Sequence, residues 1–367
     1  MDYDLLIVGS GPIGLEVAAA ARAAGLKELL VDRGQLAQTV VDWPSGSRFF
    51  SSPERMAVAG VPLQSTHQEL ATREEYLSYL RSVVEVRGLE PRLYRRVAAI
   101  RRQSAAPGFE VDLAHSIFPD RKETVVARAV VATTGDMATP NLLGVPGEEL
   151  PHVTHYGGDI HRFFGQRLLV IGGRNSAVET AIRAWRLGAQ VAISYRRPAF
   201  DNRYVYSRLH LEINLLTSKG AIDFYPLTVP VRISPEAVTL AAIGDGIECH
   251  SGAGKTTDVP ADFVFLATGY NADASLLRSA GVRLEGDDEV PSYDPETMET
   301  NVPGLYVAGT AAAGNQREYQ AFVGTSHDHA GKILAHAFGV DPDRMAAFTG
   351  TVSRRHYPFG WEDIEPE

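Results

Sequence analysis

A strand, a glycine turn and a helix occur in that order twice in this chain, and the repeat limits the fold to an α/β architecture with two dinucleotide-binding units. In the first copy residues 5–8, Leu-Leu-Ile-Val, form a short apolar run, as expected for a strand buried on both faces. It leads into Gly9-x-Gly11-x-x-Gly14 and then into the alanine-rich stretch 15–24, which Gly25 ends. That context converts a weak glycine pattern into a dinucleotide fingerprint, because the glycines permit a tight turn and let a pyrophosphate sit on the helix N-terminus. Asp32 closes the next apolar run, 29–31, at the spacing of a carboxylate that accepts from a ribose hydroxyl.

The second copy starts with the strand 167–171, turns through Gly172-Gly173-Arg174-Asn175-Ser176-Ala177, and continues as a helix over 178–187 that Gly188 stops. Residues 191–194 supply the next strand. The strand ends repeat as well: 125–135 finishes in Ala-Thr-Thr-Gly, and 261–269 finishes in Ala-Thr-Gly. Where the first copy has Asp32, the second has Tyr195-Arg196-Arg197. A carboxylate there would repel a ribose 2′-phosphate, whereas arginines accept it, so the second site is expected to prefer NADPH. The alternative is a pair of exposed arginines on a loop. Arg174 stands where a second fingerprint glycine is expected, and it would crowd a pyrophosphate unless its side chain turns outward. Residues 300–310 form a turn, a strand and a Gly-Thr end that would return the chain to the first unit. The expectation is therefore two Rossmann-like, doubly wound dinucleotide-binding domains, the NADPH domain (139–287) inserted in a discontinuous FAD domain (1–138 and 288–367). Two such sites with different ribose chemistry imply an electron-transferring flavoprotein enzyme, with FAD in the first and NADPH in the second.

Residues 36–70 break the strand–helix rhythm with Pro44, Gly46, Pro53, Gly60 and Pro62, but Trp43, Phe49 and Phe50 give the segment apolar anchors. It reads as a loop that covers a ligand, or else as a plain surface loop. Thr72-x-x-Glu75 is a capping box opening a helix whose Tyr76, Tyr79, Leu80 and Val83 share one face and pack in the core. A strand pair is expected near 97–100 and 109–113, and the Pro-, Gly- and His-rich stretch 136–165 reads as a crossover between domains. The 367 residues suffice for about two domains, and a net charge of -10 without a basic tail argues against nucleic acid as partner. No apolar run reaches about 18 residues, so no membrane span is expected. The first strand begins near residue 3, which leaves no room for a signal peptide and makes the cytoplasm the expected location. A single cysteine, Cys249, excludes a disulfide framework and a cysteine-rich metal site, and no metal is expected. In its polar setting, Ile247-Glu248-Cys249-His250, that thiol reads as incidental.

With these motifs the chain resembles the two-dinucleotide-domain flavoproteins that include thioredoxin reductase. Those reductases carry a C-x-x-C pair, which one cysteine cannot supply, and in that superfamily an acidic residue usually stands where this chain has Thr310. The segments SRFFSSPERMAVAGVPL, ATREEYLSYL, NLLGVPGEELPHVTHY, GGRNSAVE and DPETMETNVPGLYVAGTAAAGN, in order along nearly the whole chain, resemble the YpdA-type bacillithiol disulfide reductases, also called bacilliredoxin reductases. The resemblance implies a cytoplasmic NADPH-dependent FAD enzyme acting on bacillithiol disulfide without a C-x-x-C pair, and a homo-oligomer. It implies FAD contacts at Gly9, Gly11, Pro12, Gly14, Asp32, Thr134, Gly135, Gly309 and Thr310, with Phe50 and Ser51 on the flavin side of the covering loop. It implies NADPH contacts at Gly172, Gly173, Asn175, Ser176, Arg196 and Arg197. Well-known members carry a cysteine inside the first fingerprint, and this chain has Ile13 there. No catalytic thiol is thereby assigned, and direct electron transfer from flavin to the disulfide, or to another acceptor such as ferredoxin, a quinone or oxygen, is open. So is a flavin redox sensor without turnover. Bacillithiol carries a malate group, so an acidic protein needs local cations to hold its disulfide. Arg48 and Arg317 are the candidates, and His327 and His329 are candidates to protonate a leaving thiolate.

Overall fold

A computed structural model describes residues 1–67, 69–104, 106–244, 255–316 and 320–350. Cys249 and Arg317 lie outside the described residues. The chain divides into two compact units. The first comprises Met1–Val41, Arg48–Thr139 and the residues from Tyr270 onward, and the second comprises Asp42–Ser47 and Pro140–Gly269.

In the first unit β1 (Tyr3–Val8) leads through Gly11 into α1 (Pro12–Ala23), which returns to β2 (Glu28–Val31). Leu5, Leu6 and Ile7 are fully buried, as a strand flanked on both sides requires. Proline at the first helical position has no amide to lose there, and Gly25, at φ +78°, carries the chain out of the helix. The capping box at Thr72 is present with both of its bonds and opens α2 (Arg73–Arg87), which ends on Gly88 in the left-handed region. The helix does more than pack. The Tyr76 hydroxyl donates to the Met56 carbonyl at 3.0 Å, and the Tyr79 hydroxyl donates to Val61 O at 2.7 Å while accepting from the Val58 amide at 2.6 Å. These bonds satisfy backbone groups of the long excursion that has little regular structure of its own. An antiparallel meander follows, β3 (Arg95–Arg102), β4 (Phe109–His115) and β5 (Lys122–Ala132).

The second unit is built on a parallel five-stranded sheet. Its members are β6 (Val153–Thr154), β7 (Arg167–Ile171), β8 (Gln190–Tyr195), β9 (Asp223–Pro226) and, later in the chain, β13 (Phe263–Leu266), in the spatial order β9-β8-β7-β13-β6. Helix α3 (Asn175–Arg186) connects β7 to β8, and α4 (Ser207–Ser218) connects β8 to β9. An antiparallel trio, β10 (Thr228–Ile233), β11 (Ala237–Ala242) and β12 (Thr256–Pro260), packs Ile233, Val238, Leu240 and Val259 beneath that sheet.

The chain re-enters the first unit at Tyr270, earlier than the boundary at 287/288 expected from the sequence. Local bonds account for the difference. The Ala272 amide donates to Asn315 Oδ1 at 2.6 Å, Asp273 faces Arg33 at 3.8 Å, and the Arg283 amide donates to Asn301 Oδ1 at 2.8 Å. Finally β14 (Leu305–Val307) joins the first sheet beside β5, parallel to it, and α5 (His329–Phe338) lies against α1.

Candidate active site

The residues expected at the FAD site come together at the carboxyl ends of three parallel strands. Val8 of β1, Ala132 of β5 and Val307 of β14 lie side by side in register, and the turns after them carry Gly9–Gly14, Thr133–Gly135 and Gly309–Thr310. In an open α/β sheet this edge is where a ligand binds. The glycines there do different work. A Cβ on Gly9, which holds φ +115°, would fall 2.4 Å from Thr133 O, and one on Gly14 would fall 1.9 Å from Gly9 O. Both are needed by the fold itself. A Cβ on Gly11 would meet nothing within 4 Å. Its backbone, at φ -74°, suits any residue, and it caps α1 without a side-chain bond to the first-turn amides. The open space at Gly11 and these uncapped amides, at the positive end of a twelve-residue helix, match the needs of a pyrophosphate. The first unit therefore fits FAD.

Asp32 is buried, and its carboxylate spans the turn. Oδ2 accepts from the Ser10 amide at 2.6 Å and the Ser10 hydroxyl at 3.0 Å, and Oδ1 accepts from the Gly34 amide at 2.8 Å. Thr133, which sequence reasoning passed over, lies 3.0 and 2.9 Å through its hydroxyl from the carbonyls of Val8 and Gly9. Gly135, at φ +73°, faces Thr310: a Cβ there would lie 3.8 Å from the threonine Oγ1. Ile13 is 7 % exposed, and its Cβ lies 3.2 Å from where a Cβ of Gly309 would stand. This fingerprint position is thus an apolar contact between α1 and the last turn.

Phe49 is buried with its ring edge-on to Tyr76 at 4.5 Å, whereas Phe50 is exposed and Ser51 half-buried. Arg48 donates to Leu70 O at 2.7 Å and faces Glu69 at 3.3 Å, so its charge is matched within the loop. The two histidines differ sharply. His329 Nδ1 accepts from the Gly309 amide at 3.1 Å, which requires the neutral ring, and burial pushes its pKa down to about 4. It is a poor acid at neutral pH. His327 is committed to Glu16 and to the Arg55 carbonyl.

In the second unit Gly172 holds φ +140°, and a Cβ on Gly173 would strike the Tyr195 ring at 2.4–2.6 Å. Arg174 is the N-cap of α3, half-buried, with its guanidinium 4.6 Å from the Tyr204 ring centre. Arg197 lies over the same ring at 4.9 Å and Arg203 at 5.6 Å. Arg203 also binds Asp201 at 2.7 Å, which holds that carboxyl down at about 2. Arg196 and Ser176 are exposed, and Asn175 Oδ1 accepts from the Tyr206 amide at 2.7 Å. Three guanidinium groups around one aromatic ring, just past the end of β8, form a cationic and stacking surface suited to a phosphorylated adenosine. The sequence singled out Arg196 and Arg197 but not Arg203 and Tyr204, whose signal was a further Arg-aromatic pair seven residues on.

The pyridine nucleotide-disulphide oxidoreductase family matches this chain over residues 6–309. The chain belongs to that family. It is 30% identical to the bacilliredoxin reductase Bdr of Bacillus subtilis over 330 residues, covering 90% of this chain and 96% of the relative. The solved bacillithiol disulfide reductase Bdr (YpdA) of Bacillus cereus superposes with a TM-score of 0.83 at 28% identity, over 92% of this chain and 99% of that one. A ferredoxin–NADP reductase 2 of Listeria welshimeri is 26% identical over 93% of this chain and 90% of its own. The chain is thus an NAD(P)H-dependent FAD oxidoreductase of the two-dinucleotide-domain fold. Among the described residues, no helix is long and apolar enough to cross a membrane, and no group of three or more His, Cys, Asp or Glu side chains is placed to hold a metal.

Proposed function

We propose that this oxidoreductase reduces bacillithiol disulfide, RSSR + NADPH + H⁺ giving 2 RSH + NADP⁺. The observation that carries the reading is the similarity to a bacilliredoxin reductase along 90% of the chain and 96% of that relative. Bound FAD would supply the two-electron relay between NADPH and the disulfide. Gly11 and the α1 amides would hold the FAD pyrophosphate, with Gly9, Pro12 and Gly14 shaping the turn. Asp32 would take the ribose, and Thr134, Gly135, Gly309 and Thr310 would line the flavin end, with Phe50 and Ser51 over it. In the second unit Gly172, Gly173, Asn175 and Ser176 would meet the NADPH pyrophosphate, and Arg196 and Arg197, joined by Arg174 and Arg203 around Tyr204, the 2′-phosphate. Arg48 and Arg317 are the cations for the malate carboxylates of the substrate, Arg48 exchanging Glu69 for the ligand. We place the enzyme in the cytoplasm as a homo-oligomer.

The chain has one cysteine in all, so no C-x-x-C pair relays the electrons, and Ile13 offers none in the fingerprint. That absence, together with the ferredoxin–NADP reductase relatives, favours ferredoxin as the second acceptor to test. In steady state the purified enzyme is expected to form two thiols per NADPH consumed with bacillithiol disulfide, at a rate that exceeds turnover with ferredoxin, a quinone or oxygen. Faster turnover with ferredoxin and none with the disulfide would overturn the proposal.

A further inference from the structure

Glu16 is the one charged residue in the buried run 13–21 of α1, fully buried, and the redox chemistry above makes no use of it. Its Oε2 accepts from the Ala59 amide at 2.9 Å, and the Gly350 amide also donates to the carboxylate. Across from it stands His327, with Nδ1 3.1 and 3.2 Å from the two carboxylate oxygens. The other ring nitrogen, Nε2, is 3.0 Å from the Arg55 carbonyl. A carbonyl can only accept, so Nε2 carries a proton. The line from Nδ1 to the carboxylate then also needs one, because without it a ring lone pair would face a buried anion. One proton shared between the two groups leaves the pair neutral overall, which is the state such burial permits.

The pair also has a place in a closed circuit. His327 is the second residue of a tight turn in which the His329 amide donates to Ser326 O at 3.3 Å. That turn sets His329 so that its Nδ1 accepts the Gly309 amide at 3.1 Å. Gly309 packs against Ile13, and Ile13 lies one helical turn before Glu16 on α1. From Glu16 through His327, His329, Gly309 and Ile13 the contacts return to their starting helix. Gly350 closes the side of the pair: a Cβ there would lie 2.3 Å from His327 Cε1.

We propose that Glu16 and His327 are positioning residues of the FAD site, whose shared proton fixes the turn 326–329 and so holds the Gly309 amide against the N-terminal half of α1. The other ionisable groups around the pair are Tyr76 and Tyr79 on α2, Arg87 beside Tyr79, and Asp328 and His329 in the turn itself. Neither tyrosine is a further donor to the pair, since both hydroxyls already donate to carbonyls of 56–61. The inference rests on the reading that FAD occupies the Gly9–Gly14 turn.

Three variants test it. In Glu16→Gln the side-chain amide can donate to Nδ1 while its oxygen still accepts from Ala59, so the bonds to His327 and Ala59 survive without the charge. The double variant Glu16→Met with His327→Leu removes the tie and leaves no buried charge behind. The readouts are hydrogen exchange at the Gly309 amide in apo- and holoprotein, the flavin absorption bands, and the FAD dissociation constant. For the double variant the expected result is faster exchange at Gly309 in both forms, shifted flavin bands and a dissociation constant raised about tenfold, the equivalent of one lost hydrogen bond. Glu16→Gln is expected to match the parent protein on all three. A double variant that only melts earlier, with Gly309 exchange, bands and FAD affinity unchanged, would overturn the inference, and so would a Glu16→Gln that behaves like the double variant. Gly11→Val keeps the two readings apart. If it retains FAD with full affinity, the placement of FAD fails; if it loses FAD while the double variant stays normal, only the positioning role fails.

Discussion

At Gly11 the demands of the fold and of the ligand separate. Its neighbours Gly9 and Gly14 are glycines because a Cβ would collide with backbone, but Gly11 has open space in front of it. Gly11→Val is therefore expected to fold and melt close to the parent apoprotein and to purify without FAD, read by flavin absorbance and thermal unfolding. Gly14→Ala is expected to lose stability in the apoprotein as well, since its Cβ would lie 1.9 Å from Gly9 O. His329 gives a second residue-level test. Burial holds its pKa at about 4, below the 6.5 of an exposed imidazole. Between those values the unfolded chain binds more protons than the folded one, so stability falls as pH drops from 6.5 towards 4, by at most about 3 kcal/mol. In His329→Asn, whose side-chain oxygen can still accept from Gly309, urea unfolding across this range should lose that part of the slope. An unchanged slope would show that the imidazole is not held neutral.

At the scale of elements, the proposed function makes the end of β8 the place that decides which nicotinamide cofactor the second unit takes. Replacing Arg196 and Arg197 by alanine is expected to raise KM for NADPH at least about tenfold, since one charge-assisted hydrogen bond is worth roughly 1.5–3 kcal/mol. NADH kinetics and FAD content should stay unchanged, and an equal loss for both nucleotides would contradict the assignment. This end stands out in the sequence because chain order places it one strand after a glycine turn. The same logic made β1, α1, β2 and the capping box at Thr72 readable, since each depends on neighbours in sequence. Glu16 with His327, Asp32 with Ser10, and Tyr204 with Arg174 depend on residues brought together from 22 to 311 positions apart, and the spacing of neighbours in sequence does not announce these pairings. The lone glutamate in the apolar run of α1 was the visible trace of one. The boundary at Tyr270 differs from the expected one for a like reason: 270–287 meets residues distant in sequence, through packing of 275–279 on β3 and the bonds to Asn315 and Asn301.

At the scale of the whole molecule, two nucleotide-binding units share one chain that has a single thiol. A dithiol relay is impossible within one chain, so Cys249→Ser is expected to keep both NADPH oxidation and disulfide reduction within about twofold of the parent enzyme, as for a substitution outside the reacting groups. A folded, FAD-loaded Cys249→Ser protein without turnover would show that the thiol takes part. On the proposed function, electrons pass from NADPH through FAD to a low-molecular-weight disulfide. Anaerobic stopped flow tests it most directly: the flavin is bleached with one equivalent of NADPH and then mixed with bacillithiol disulfide. The account predicts that the yellow absorbance returns with release of two thiols per flavin, and faster than on mixing with ferredoxin or oxygenated buffer. A flavin that stays bleached in the disulfide and recovers in ferredoxin would contradict it.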